Sequence, residues 1–191
     1  MEKQKQTRAR VIKHTGSHYL VSNLPDWSVT QCTVRGKLRL KGVRTTNPIA
    51  VGDFVDYDIE EDGSGIITHI HPRTNYIIRK STNLSREAHI IAANIDLALI
   101  IVTLDLPQTP LAFIDRFLVT CEAYRVPVKI ILNKSDLYKD NTESVKSFRE
   151  LYNSAGYEVI EVSCITGENI DTLKKECKDK LTLLSGISGV G

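Results

Sequence analysis

The chain has 191 residues, 41% hydrophobic and 25% charged, with 25 Lys and Arg against 23 Asp and Glu. That is ordinary globular composition, which excludes a disordered, collagen-like or disulfide-dense chain and leaves room for one or two domains. The longest apolar run, Leu97 to Val102, is far short of the roughly 20 residues that cross a bilayer, and the base-rich Met1 to Arg10 has no apolar stretch behind it to make a secretory signal.

Residues 8–71 read as short strands. Val55, Tyr57 and Ile59 alternate with Asp56, Asp58 and Glu60, a period of two. His18 to Val21, Trp27 to Val34 and Ile66 to His71 are further strand candidates. Turn residues part them at Thr15-Gly16-Ser17, Leu24-Pro25-Asp26, Asn47-Pro48 and Glu61 to Gly65. About five short strands suit a small closed barrel of the oligonucleotide-binding (OB) kind, although an SH3-like barrel would read much the same.

Charge is uneven along the chain. Residues 1–80 sum to +5 and residues 81–191 to −3. Arg35, Lys37, Arg39 and Lys41 form a strip with no acid, and Arg44 follows. Such a strip fits an anionic partner such as RNA, with aromatic help from Trp27 or Tyr57. It fits a plain solvated strand as well.

Residues 72–90 read as a connection, broken at Pro72. Beyond it the period changes. Asp96 to Thr103 is a continuous apolar run, as in a parallel strand covered on both faces. Thr109-Pro110 opens a helix, with Pro at its first position and Leu111, Ile114, Phe117, Leu118 and Cys121 on one stripe. Val126 to Leu132 is a second buried strand. A helix over about 142–155 turns Val145, Phe148, Leu151 and Tyr152 inward and stops at Gly156. Tyr157 to Val162 is a third strand. Asn169 caps a helix reaching about Lys180, with Ile170, Leu173 and Cys177 inside, and Leu181 to Leu184 is a fourth strand. Alternating strands and helices predict a parallel sheet with helices on both faces.

Three loops then fall at strand ends, along the sheet edge where ligands bind. In Asn133-Lys134-Ser135-Asp136, the Asp136 carboxylate can accept from the ring N–H and the exocyclic amine of guanine, a donor pair adenine lacks. Asn133 can bond the purine edge and the neighbouring loops, and the Lys134 stem can lie over the base. In the second loop, Ser163 can brace the first, and the Cys164 N–H can meet the guanine carbonyl. The third, Gly186-Ile187-Ser188-Gly189-Val190-Gly191, carries the two glycines of G-x-x-x-x-G-K-[ST], whose backbone N–H groups cradle phosphate. Without the helix that would follow it, this loop is expected to be mobile.

Other chemistry is thinner. Cys32, Cys121, Cys164 and Cys177 are widely spaced with no CxxC, which reads as reduced thiols in a cytoplasmic protein. His69 and His71 share a strand face, but two ligands are a weak metal signal, and no metal site is assigned.

A guanine loop placed before a phosphate loop reverses the order of ordinary GTPases. It resembles the circularly permuted GTPases and, among them, the ribosome-small-subunit-dependent family (RsgA, or YjeQ). The likeness also rests on Ala50-Val51-Gly52-Asp53, Pro72-Arg73, Arg79-Lys80-Ser81, Ala92 to Asp96 and Phe113-Ile114-Asp115-Arg116, while Cys164 stands where the family has Ala. The resemblance implies an OB-like barrel that binds RNA (1–71), a connection (72–90) and a partial, circularly permuted α/β P-loop GTPase domain (91–191). It implies GTP or GDP with Mg²⁺ at Asn133, Lys134, Ser135, Asp136, Ser163, Cys164 and Gly186 to Gly191. It further implies a cytoplasmic, monomeric factor in late maturation of the small (30S) subunit, contacting 16S rRNA. On this reading the chain is an amino-terminal fragment without catalytic residues of its own, and Zn²⁺ belongs only to a C-terminal domain beyond Gly191. The alternative is a non-enzymatic RNA-binding module with a degenerate nucleotide fold.

Overall fold

The computed structural model describes residues 5–34, 49–80 and 88–191. The basic strip Arg35, Lys37, Arg39, Lys41 and Arg44, and Ser81, lie outside the described residues. The chain divides into two compact units, Met1–Asn94 and Ile95–Gly191.

In the first unit β1 (Lys5–Thr15), β2 (His18–Asn23), β3 (Ser28–Val34), β4 (Phe54–Ile59) and β5 (Gly65–Ile70) close a barrel in the order β1-β2-β3-β5-β4. β1 pairs antiparallel with both β2 and β4, and β3 runs parallel to β5. This Greek-key order is that of the OB barrel and resolves the choice the strand pattern left open. In β4 Val55 and Tyr57 are fully buried beside Val11, Val21, Cys32 and Ile67, as the period of two predicts, but Asp56 between them is buried as well. Gly65 is required here, since a Cβ would stand 2.4 Å from Cys32 Sγ. Tyr57 is therefore a core residue. Its hydroxyl accepts from Asn23 Nδ2 at 2.9 Å and lies 3.1 Å from Thr30 Oγ1, so it cannot stack on an RNA base; Trp27, 63% exposed, can.

The segment read as a connection is more ordered than expected. β6 (Tyr76–Lys80) and β7 (Ala88–Ala93) form an antiparallel pair in the first unit. A buried polar latch explains why. The Asp53 carboxylate, fully buried, accepts from Arg73 Nε and Nη2 at 2.6 Å each and from the Ala50 N–H at 2.8 Å. Asn94 Nδ2 donates to the Gly52 carbonyl at 3.0 Å, and its Oδ1 accepts from the Thr74 N–H at 2.9 Å. The Ala93 N–H donates to the Val51 carbonyl. Three of the family-like motifs thus meet in one network, which carries the first unit to Asn94 and keeps Ala92 and Ala93 on β7. His69 and His71 do share a face, their rings 5.1 Å apart and edge-on, and His71 Nε2 is engaged by Asp56 Oδ1 at 2.7 Å.

The second unit is a parallel sheet in the order β10-β9-β8-β11, from β8 (Leu97–Val102), β9 (Val128–Leu132), β10 (Val159–Glu161) and β11 (Thr182–Gly186). Its two faces alternate by residue. Ile100, Val102, Ile130 and Leu132 pack on α1 (Leu111–Ala123) and α2 (Thr142–Ser154). Leu97, Leu99, Ile131 and Val162 pack against Ile170, Leu173 and Cys177 of α3 (Ile170–Cys177). Asp96 sets the β8 and β11 register: its N–H donates to the Leu181 carbonyl, and its Oδ2 accepts from the Leu181 N–H at 2.7 Å.

The helices depart from expectation in detail. Pro110 is the cap residue of α1 rather than its first turn, and Leu111 and Leu151, both about half exposed, leave the inner stripes. Asn169 stands at the N-cap position of α3, but its side chain makes no capping hydrogen bond. It sits at φ +54° with its Nδ2 donating to the Glu161 carbonyl, and α3 ends at Cys177. The stop at Gly156 holds. With φ +89°, its N–H donates to the Asn153 carbonyl and the Tyr157 N–H to the Tyr152 carbonyl, a Schellman closure.

Candidate functional site

β9, β10 and β11 are parallel, so the loops that follow them emerge along one edge of the sheet. The side chains of the first loop hold the other two. Asn133, 4% exposed, donates from Nδ2 to the Val190 carbonyl at 2.8 Å, and its Oδ1 lies 3.8 Å from Cys164 Sγ. Lys134, in left-handed conformation at φ +63°, donates from Nζ to the Gly189 carbonyl at 2.8 Å and also to the Leu106 carbonyl. This ammonium is engaged with backbone on two loops, which fixes the course of a stem expected to cover a base.

The third loop is seated rather than loose. Val190 is 3% exposed, and Gly191 at φ +124° leaves no room for a side chain, because a Cβ would meet Asn133 Nδ2 at 2.1 Å. The N–H groups of Ser188, Gly189 and Gly191 make no hydrogen bond among the described residues, and Gly189 has φ +90°. Unpaired N–H groups in a turn with left-handed glycine form a concave anion site.

The second loop braces the first. Ser163, fully buried, donates from Oγ to Asp136 Oδ1 at 2.5 Å and accepts at the same oxygen from the N–H groups of Ile165 and Thr166. The Ser135 N–H donates to the Val162 carbonyl at 3.0 Å. Asp136 is thus oriented through one oxygen, while Oδ2 has no partner among the described residues. An ionised carboxylate held this way presents one fixed acceptor edge to a planar donor pair.

Sequence reasoning missed two supports. Glu168 accepts from Ser135 Oγ at 2.7 Å. The turn after β8 is tied by Thr103, whose N–H donates to Thr109 Oγ1 at 3.0 Å and whose Oγ1 donates to the Pro107 carbonyl at 2.5 Å, with the Leu104 N–H on Tyr138 Oη. The two threonines flanking Pro107 just past the apolar run were the available signal.

Burial pushes the thiols of Cys32 and Cys121 up to about 12, while Cys164 is exposed. Alkylation follows thiolate fraction and access. Iodoacetamide near pH 8 should therefore label Cys164 in the folded chain and spare Cys32 and Cys121. Mass spectrometry showing equal labelling of all three would contradict this packing.

The comparisons agree with this geometry over both units. The RsgA GTPase family model matches residues 70–191, and the RsgA N-terminal domain model matches residues 8–67. The small ribosomal subunit biogenesis GTPase RsgA of Phocaeicola vulgatus is 50% identical over 182 residues, covering 95% of this chain and 58% of the relative. The protein of the same name from Porphyromonas gingivalis is 49% identical over 184 residues, covering 95% and 58%. Among solved structures, YjeQ from Thermotoga maritima superposes with a TM-score of 0.79 at 32% identity, covering 98% of this chain and 62% of that one. YloQ, described as a circularly permuted GTPase, superposes with a TM-score of 0.74 at 30% identity, covering 100% and 62%. The chain spans 58% of the length of these curated relatives. With both family models matched in sequence order and the same fold found in the permuted GTPases, the chain belongs to the RsgA GTPase family.

Proposed function

We propose that this chain is the RNA-binding and guanine-nucleotide-binding part of a GTPase that acts in the cytoplasm on the maturing small ribosomal subunit. The barrel of residues 1–71 contacts 16S rRNA, residues 72–90 link it onward, and the sheet of residues 91–191 holds GTP or GDP. The observation that carries the nucleotide reading is the closure of three sequence-distant loops by Asn133, Lys134 and Ser163, with Asp136 Oδ2 left unpartnered. Asp136 selects guanine and the Cys164 N–H meets the guanine carbonyl. Asn133, Lys134 and Ser135 shape the base site. Gly186 to Gly191 receive phosphate, whose charge suits the N–H groups of Ser188, Gly189 and Gly191. The non-enzymatic alternative leaves these contacts without a purpose. The factor acts as a monomer, and neither Mg²⁺ nor Zn²⁺ is assigned to a side chain of this chain.

Hydrolysis is mostly positioning and charge stabilisation of the transferring phosphoryl group. The Lys and Ser/Thr of the phosphate-loop pattern would directly follow Gly191. This 191-residue chain should therefore release no phosphate from GTP, alone or with purified small subunits. A chimera continuing past Gly191 with the corresponding segment of the Phocaeicola vulgatus relative should do so, faster with subunits. A folded chimera that stays silent with subunits would overturn the GTPase reading. Comparable release by the chain alone would overturn the need for the groups after Gly191.

A further inference from the structure

The turn after β8, residues 103–109, touches both ends of the site. Leu106 sits at φ +53°, a conformation that a leucine keeps only where its surroundings enforce it. Its N–H donates to Asp105 Oδ1 at 2.8 Å, and its carbonyl accepts from Lys134 Nζ of the first loop. Pro107 lies against the third loop, since a Cβ on Gly189 would stand 3.3 Å from Pro107 Cδ. Lys134 Nζ also donates to the Gly189 carbonyl at 2.8 Å, so the turn, the first loop and the third loop each meet the other two.

Three hydroxyls hold this turn. Buried Thr103 donates from Oγ1 to the Pro107 carbonyl at 2.5 Å. Its N–H donates to Thr109 Oγ1 at 3.0 Å, and its carbonyl accepts the Thr109 N–H at 2.9 Å. The Leu104 N–H donates to Tyr138 Oη at 2.9 Å. Tyr138 follows the first loop closely, with its N–H on the Ser135 carbonyl, and is buried in one core with Phe148 and Tyr152. It therefore passes the position of a packed core to the turn. Packing does not hold the middle of the turn. Leu106 is 68% exposed, and beside it lies a cavity of about 580 Å³ lined also by Gln108, Leu137 and Asn141. A segment with few buried apolar contacts depends on its hydrogen bonds, and losing one loosens it locally.

We propose that this turn sets how much the third loop adds, through phosphate, to the binding of a nucleotide whose base the first loop holds, and that Tyr138 and Thr103 are its positioning residues. The inference rests on the reading of the three loops as a guanine-nucleotide site. Asp136 and Ser163 make their hydrogen bond without the turn, so base recognition should stand when the turn loosens. Lys134 and Gly189 touch it directly, so the seating of phosphate should not.

The test compares GDP, which engages both loops, with guanosine, which engages the base site only, in competition against a fluorescent guanine nucleotide on the full chain. The ratio of the two affinities is what phosphate adds. Tyr138→Phe keeps the ring in the core and removes the acceptor of the Leu104 N–H. Thr103→Val removes the donor to the Pro107 carbonyl. Each should lower the GDP-to-guanosine ratio by about threefold and the pair by about tenfold, the scale of one and two neutral hydrogen bonds, with guanosine affinity unchanged. Phe148→Leu loosens the same core, keeps the turn's hydrogen bonds and should leave the ratio where it was. Circular dichroism checks folding, and either turn variant carries the test without the other. A ratio unchanged in the folded turn variants would overturn the inference. Equal losses for GDP and guanosine, or the same fall in Phe148→Leu, would overturn it too, because each marks a purely structural role. If the wild-type chain binds guanosine as tightly as GDP, this inference fails while the base-site reading stands. If it binds neither, the nucleotide reading fails, and this inference falls with it.

Discussion

Asp136→Ala should abolish the preference for guanine over adenine nucleotides. In the folded chain Asp136 is oriented by the Ser163 hydroxyl at 2.5 Å, and its second oxygen has no partner among the described residues. Guanine supplies two donors to such a carboxylate, whereas adenine would bury an acceptor with nothing to satisfy it. Removing the carboxylate should cost about 2–4 kcal/mol in guanine-nucleotide binding, the scale of a charge-assisted pair of hydrogen bonds, and leave adenine-nucleotide binding where it was. Ser163→Ala should cost less, since it frees the carboxylate to turn without deleting it. Competition of GDP and ADP against a fluorescent guanine nucleotide, in the chain and in the chimera, reads both effects. Equal GDP and ADP affinity in the unmutated protein would sink the assignment of Asp136.

Arg73→Ala should destabilise the barrel more than any surface change. Asp53 is fully buried and meets Arg73 through two 2.6 Å hydrogen bonds in a planar, two-pronged pairing. Deleting the guanidinium strands a buried carboxylate, which costs about 3–5 kcal/mol. Arg73→Lys should recover only part of it, because an ammonium cannot reproduce the fork. Arg73→Ala with Asp53→Asn should be less damaging than Arg73→Ala alone, because no charge is left unpaired. Hydrogen exchange of peptides from β1 to β3 in increasing urea isolates the first unit's opening from that of the sheet. Unchanged protection in Arg73→Ala would show that the pair is not what holds the latch together. Both residues belong to the first unit and the three loops to the second, so guanine selectivity should survive in whatever fraction remains folded.

Much of this molecule was legible as pattern. The period of two in β4 and the apolar run of β8 identified a barrel followed by a parallel sheet, because burial on one face or on both leaves different periodicities. The loops carrying Asp136, Ser163 and Gly191 were legible for a related reason: each follows a strand of the sheet, and parallel strands align their ends. Local sequence also determined the helix stop at Gly156, where a left-handed turn favours glycine. The family resemblance added identity and motif order, which periodicity could not supply.

Tertiary structure decided what depends on contacts between distant residues. Asp56 looked like a solvent-facing member of an alternating strand, yet it is buried, because the Arg8 N–H on β1 and His71 just past β5 satisfy it. Tyr57 reads as an aromatic available to RNA until the closed barrel takes it inside. Asn169 has the composition of a helix cap and stands at that position, but its backbone is left-handed and its side chain is turned to the Glu161 carbonyl through Nδ2, so no capping hydrogen bond forms. Ala50 to Asp53, Arg73 and Asn94 carry no periodic signal at all, since a buried charge pair is specified by geometry across the fold rather than by spacing along the chain. The same holds for the seating of Gly186 to Gly191. Sequence supplied the glycines, and only the approach of Asn133 and Lys134 from another strand end showed what keeps the loop in place.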